Sequence, residues 1–191
     1  MTDFVPLTGE PLAVDLVNTR PHLASGPADL VGDVSGLRSW LALQQDRLAG
    51  AAGGAAGLGE EDLAEIHRVR EHIAAALYAA RDGERPPEEA LAGVNRALAA
   101  APLVRELVRD GEGLALAARR AGPPGVRLAA LFAEDAAALL SGPAGSRVRA
   151  CAAEDCVMLF VPAHPSRRWC SPARCGNRAR VARYYQRHRA D

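Results

Sequence analysis

Four cysteines fall in the last 41 residues, spaced Cys151-x4-Cys156-x13-Cys170-x4-Cys175, and residues 1–150 hold none. Two close pairs of thiols on a short spacer can close a tetrahedral zinc site with no open coordination position, a structural rather than a catalytic arrangement. The alternatives are two disulfides or four free thiols. A reducing compartment favours metal, and a segment of roughly 45 residues is too small to stand without a staple. The expected content is one structural Zn2+ per chain, held by Cys151, Cys156, Cys170 and Cys175. His164 lies between the pairs, but the four cysteines already complete a tetrahedron.

The second pair runs into Gly176-Asn177-Arg178 and a segment with arginine at 174, 178, 180, 183, 187 and 189. Ser171 can cap a helix with Pro172 at its first position, reaching roughly to Arg189. Cys175 then sits in the first turn, where the helix dipole favours the thiolate that a metal requires. Val181, Tyr184 and Tyr185 form a narrow stripe suited to packing. So basic a helix either meets a nucleic acid or docks on an acidic surface of its own chain. On the first reading Arg174, Asn177, Arg178, Arg183 and Arg187 make the contacts. The arginines then hold phosphates, and Asn177 is the candidate for a base edge.

The elements that must position this module begin with the chain's charge. The net charge of zero conceals a division: residues 1–145 carry 13 Arg against 20 Asp and Glu, residues 146–191 carry 10 Arg against three acids. An acidic body with a basic appendage follows, consistent with a polyanion partner or with attraction between the two parts. All 23 basic residues are arginine; arginine suits bidentate phosphate contacts, although the Ala, Gly and Arg bias also reflects overall composition. Met1-Thr-Asp-Phe-Val-Pro6 reads as no secretory leader, and no apolar run approaches the ~20 residues of a membrane span. The expected compartment is the cytosol.

Helical spacing dominates the body. Ser35 can cap a helix carrying Leu37, Trp40, Leu41 and Leu48. Ala49–Gly59, rich in Ala and Gly, reads as a connection. Gly59-Glu-Glu-Asp62 opens a helix with Leu63, Ile66, Ile73 and Leu77 inward, to about Arg81. Pro86-Pro87 opens the next, with Leu91, Val94 and Leu98 inward and Pro102 at its end. Leu103–Arg109, a turn at Asp110-Gly-Glu-Gly113, and Leu114–Arg120 predict a hairpin. After Gly122-Pro-Pro-Gly125 comes a helix with Leu128, Leu131, Phe132, Leu139 and Leu140. Ser141–Gly145 is the candidate boundary between domains 1–145 and 146–191. The fold class is mainly α, with a small β-hairpin in the N-terminal domain. The C-terminal part is a treble-clef-like zinc module: a short β-hairpin, with Val157–Val161 as a strand, plus a helix.

Leu12-Ala-Val-Asp-Leu-Val-Asn-Thr19 embeds three hydrogen-bonding groups in an apolar run that reads as a strand or a short helix. Burial without partners would be costly. Asp15, Asn18 and Thr19 therefore either line a polar pocket for a small ligand or tie down the N-terminal segment. His67 and His72 lie five apart on one helix, which does not bring both onto one face. No GxSxG, HExxH, P-loop or GxGxxG-then-helix pattern occurs, so the chain is read as no enzyme.

At Arg168-Trp169-Cys170-Ser171 and Cys175-Gly176-Asn177-Arg178 the chain resembles the CGNR zinc-finger family. Its Leu12–Thr19 segment is similar to the opening motif of the ABATE domain that precedes such fingers. With Trp40 and the helical middle, the resemblance spans nearly the whole length. It implies a bacterial, stress-linked transcription regulator, with a ligand-sensing N-terminal domain and a DNA-binding finger. The stretch after Phe160 departs from the family pattern: an Asp/Thr/Ser-rich turn with an extra arginine is shortened here to Val161-Pro-Ala-His-Pro-Ser166. Three functions compete: a zinc-dependent DNA-binding regulator, an RNA- or protein-binding module on the same finger, and an enzyme sited in the N-terminal domain.

Overall fold

The computed structural model describes residues 6–23, 25–48 and 57–188. Three helices form the centre: α4 (Glu60–Asp82), α5 (Glu88–Ala100) and α6 (Pro124–Ser141). Leu63, Ile66, Ile73 and Leu77 of α4 are buried, as the spacing predicts, against Leu128, Phe132 and Leu139 of α6. Glu60, Glu61 and Asp62 occupy the positive end of α4. One carboxylate serves two helices here: Asp62 accepts from the Gly59 amide at 2.9 Å and from the Gly125 amide, in the first turn of α6, at 2.6 Å.

Two expectations need correction. Helix α2 (Val34–Leu43) is capped by Asp33, which accepts from the Gly36 amide at 2.7 Å, and Ser35 lies inside the first turn. An extended Asp brings both an acceptor and a charge to the positive helix end, which Ser cannot match. Leu91 is 42% exposed, and the inward stripe of α5 runs through Ala90, Gly93 and Val94. The cause is close approach: a Cβ on Gly93 would fall 2.1 Å from the His72 ring, so the imidazole of α4 packs directly on the backbone of α5 at Gly93. His67 is tied elsewhere, with Nε2 2.7 Å from the Val31 carbonyl.

Leu12–Val17 forms helix α1, with all six residues buried. So short a helix is not stable alone; burial against α4 and α6 holds it, and Asp135 of α6 accepts from the Ala13 amide at 2.8 Å. A four-residue helix α3 (Gln45–Leu48) follows α2. The expected connection at 49–59 lies largely outside the described residues. Strands β1 (His22–Leu23) and β2 (Gly26–Pro27) form a small antiparallel pair. The predicted hairpin is β3 (Val104–Asp110) with β4 (Gly113–Arg119), in unbroken register from Val104 opposite Arg119 to Asp110 opposite Gly113.

Beyond α6, β5 (Arg149–Ala150) pairs antiparallel with β6 (Leu159–Phe160), and α7 (Asn177–His188) closes the described chain. Val157–Val161 thus supplies a two-residue strand. The C-terminal segment shares the body's core, because Val148 and Leu159 belong to the same apolar cluster as Leu16, Ile66 and Phe132. A second, smaller cluster gathers Met158 and Phe160 around the cysteines.

Candidate metal centre and basic helix

Cys151 and Cys156 bracket a tight loop. Asp155 folds it back with φ +60°, a left-handed conformation that Asp tolerates better than most residues. Beside β5–β6, the Cys151 amide donates to the Met158 carbonyl at 2.9 Å, and the Ala152 amide donates to Arg168 at 2.8 Å. The second pair is set by a helix start: Ser171 Oγ accepts from the Arg174 amide at 3.3 Å, Pro172 opens a π-turn over 172–176, and α7 continues it. Cys175 is therefore in the first turn, as its spacing predicts.

The four sulfurs lie within 4.8 Å of one another. Cys156–Cys170, Cys170–Cys175 and Cys175–Cys156 measure 3.8, 3.6 and 3.7 Å. A tetrahedron with Zn–S bonds of about 2.3 Å has S–S edges of about 3.75 Å. A disulfide needs about 2.05 Å, and all four thiols are free. The spacing is that of ligands to one ion.

The electrostatics call for a cation. A hydrogen bond from Cys170 lowers the Cys156 thiol to about 5. Its partner pays in the opposite direction: Cys170 is pushed up chiefly by that same bond, and Cys175 is raised to about 11 by burial and then by the Cys156 charge. Without a metal, the charge on Cys156 therefore opposes ionisation of Cys170 and Cys175. A divalent ion supplies the charge that lets four thiolates coexist. Two donors support them: the Cys170 amide toward Cys151 Sγ at 3.4 Å, and Arg178 Nη2 toward Cys175 Sγ at 3.8 Å.

Helix α7 buries no residue. The packing stripe expected on it is open: Val181, Tyr184 and Tyr185 are 45, 52 and 63% exposed. Tyr184 stacks on His188 at 4.1 Å and meets Tyr185 edge-on, contacts within the helix itself. Among the described residues Arg178, Arg180, Arg183 and Arg187 form no ion pair with a carboxylate. Arg183 and Arg187 donate only to carbonyls one turn back, and Arg180 to Asn177 Oδ1 at 3.4 Å. Arg178 also reaches the Glu154 carbonyl at 3.2 Å, so it ties α7 to the first cysteine loop. Arg174 is half-buried beside the cysteines.

Asp15, Asn18 and Thr19 each have hydrogen-bond partners within the chain. Asp15, fully buried, accepts from the Gly9 and Glu10 amides, from Gln44 Nε2 and from Arg47 Nη1. Burial raises its pKa, and the bonds from Gln44, Gly9 and Arg47 oppose that rise. Asn18 pairs with the backbone of β6 through both amide atoms: Nδ2 donates to the Leu159 carbonyl and Oδ1 accepts from the Leu159 amide, each at 2.9 Å. Thr19 Oγ1 donates to Leu16 at 2.7 Å and accepts from Arg70. Asn18 borders a cleft shared with Glu10, Arg167 and Ser171 at the joint between body and finger.

Two residues outside the predicted set hold that joint. Glu10 accepts from the Val161 amide at 2.9 Å and pairs with Arg167 at 2.5 Å. Arg167 also donates to Cys170 and Trp169 carbonyls and lies 4.6 Å from the Phe160 ring centroid. Both flank the motifs in sequence, and only their separation hid the pairing.

A family model described as "Putative stress-induced transcription regulator" (ABATE) matches residues 10–143, and the CGNR zinc finger model matches residues 147–188. No protein of curated function matches the chain. The four cysteines lie within the second match, and their geometry is that of one structural zinc per chain.

Proposed function

The chain belongs to the ABATE family, and from that premise we propose that it is a transcription regulator binding duplex DNA through the zinc-anchored helix α7. The observation that carries this reading is a helix with no buried residue, rooted in a metal cluster, on which Arg178, Arg180, Arg183 and Arg187 have no carboxylate partner among the described residues. Zinc fixes the first turn through Cys175, and the Glu10–Arg167 pair and Asn18 fix the finger on the body. The helix therefore leaves the molecule at a set angle. Arg183 and Arg187 supply phosphate contacts, Arg174 and Arg178 extend them toward the metal, and Asn177 at the helix start faces a base edge.

Arg183→Ala and Arg187→Ala test the reading cleanly, since neither side chain touches the metal cluster. Each is expected to weaken binding to all duplexes and to flatten the log–log salt dependence by about one unit. Unchanged affinity and slope in both would reject α7 as the contact surface. Arg178→Ala is expected to weaken binding and zinc retention together. A second reading, an RNA or protein partner, draws on the exposed Tyr184 and Tyr185, which suit stacking on unpaired bases. Preference for single-stranded over duplex ligand would favour it. For control by a small polar ligand, the cleft bordered by Asn18, Glu10 and Arg167 is the place where occupancy would alter the set of the finger. The helical body serves as scaffold, and the regulator acts in the cytoplasm.

A further inference from the structure

The β3–β4 hairpin is fastened to the body at its root. Arg120 donates to the Ala101 carbonyl at 2.5 Å and pairs with Glu134. Its two-residue turn starts at Gly111 with φ +59°, a position that glycine occupies without strain. Val108, Ala115 and Ala117, on one face, are half-buried. The opposite face carries Leu107, Leu114 and Leu116, which are 70, 68 and 62% exposed. Among the described residues neither strand has a second neighbour.

The two free edges differ in kind. Strand β3 places Arg105, Glu106, Arg109 and Asp110 along its length, the charges by which natural sheets discourage pairing. Strand β4 reads Gly-Leu-Ala-Leu-Ala-Ala-Arg, with no proline or bulge and no charge before Arg119. A bare edge of this length offers a row of backbone groups on which another strand can pair.

Its sequence also selects the occupant. Antiparallel pairing of β4 with its own copy about Leu116 sets Leu114 opposite Ala118, Ala115 opposite Ala117 and Leu116 opposite itself. No like charges meet. The same operation on β3 about Leu107 would oppose Arg105 to Arg109 twice, which is unfavourable. A lone two-stranded hairpin is marginal, whereas four strands with an apolar row are self-supporting.

We propose that the chain self-associates about a two-fold axis through β4, joining two hairpins into one four-stranded antiparallel sheet. The leucines at 107 and 116 then form a continuous row across the axis. One strand pair makes a smaller interface than the ~800 Å² per partner of standard complexes, so the association is expected near micromolar. This inference stands independently of the nucleic-acid reading.

Light scattering on the full-length zinc-bound protein over about 1–100 µM tests it. The wild type is expected to pass from monomer to dimer. Leu116→Lys and Leu116→Glu, each alone, should raise the dissociation constant at least tenfold, since like charges then oppose across the axis. An equimolar mixture of the two should associate again, because Lys faces Glu. Helical content and bound zinc, measured in the same samples, should match the wild type at so exposed a position. A wild type that stays monomeric throughout overturns the proposal. So do variants that dimerise like the wild type, and a mixture that fails to associate overturns the register about Leu116.

Discussion

At the scale of single residues, the buried polar groups act as fasteners. Asn18 substitutes for a strand neighbour of Leu159, 141 residues away in sequence. Replacing it by Leu leaves a buried amide and carbonyl without partners, a loss of about 2–4 kcal/mol, to be read from denaturant unfolding. Arg70, 1% exposed, forks onto Asp29 with contacts of 2.8 and 2.6 Å. Removing one member of a buried pair costs about 3–5 kcal/mol, and partial exposure of Asp29 puts Asp29→Asn at the low end. Burial resists ionisation of Asp29, but Arg70 and the Val31 amide prevail and hold its carboxyl below the usual range. A depressed carboxyl stabilises the fold above the unfolded value of about 3.9 and loses that contribution as pH falls through its folded value. The Asp29→Asn variant should therefore show a flatter acid limb than the wild type, and an equally steep one would remove Asp29 from the account.

At the scale of elements, the helix crossing at Asp62 is the sharpest constraint. A Cβ at Gly125 would meet Asp62 Cα at 2.4 Å, a backbone atom that cannot swing aside. Gly125→Ala is expected to cost about 1–3 kcal/mol by overpacking, checked by thermal unfolding. Helix α4 and the β3–β4 hairpin were legible in the sequence because apolar period and turn chemistry are local signals. Helix α1 was not resolved from a strand, since six buried residues in a row have no period. The face of α5 was misjudged at Leu91 because Gly93 and His72 draw two helices together, which no single-helix pattern records. The cysteine cluster was legible in full, as its ligands announce themselves by type. What holds the cluster on the body, Asn18 with Leu159 and Glu10 with Arg167, was hidden by sequence distance, as was the exposure of Tyr184 and Tyr185.

At the scale of the whole molecule, the finger and the helical body share a core through Val148 and Leu159. Zinc removal should therefore reach beyond the finger. Chelation is expected to lower the unfolding temperature of the entire chain by several degrees and to increase amide exchange in α1 as well as in 149–176. A body that unfolds at an unchanged temperature would show the two parts to be independent. The charge division has a matching logic: body carboxylates such as Asp15, Asp29 and Glu134 pair with body arginines and Glu10 pairs with Arg167 of the finger, while among the described residues the arginines of α7 from Arg178 onward meet no carboxylate. The central claim, that zinc presents this helix to a nucleic acid, is tested most directly by titrating a labelled duplex with the zinc-bound protein at salt concentrations from about 50 to 200 mM. The account predicts saturable binding whose logarithm falls linearly with log salt, with a slope of about −3 to −5 for four or five arginine–phosphate contacts. Absence of binding at the lowest salt, or binding with a slope near zero, would contradict it.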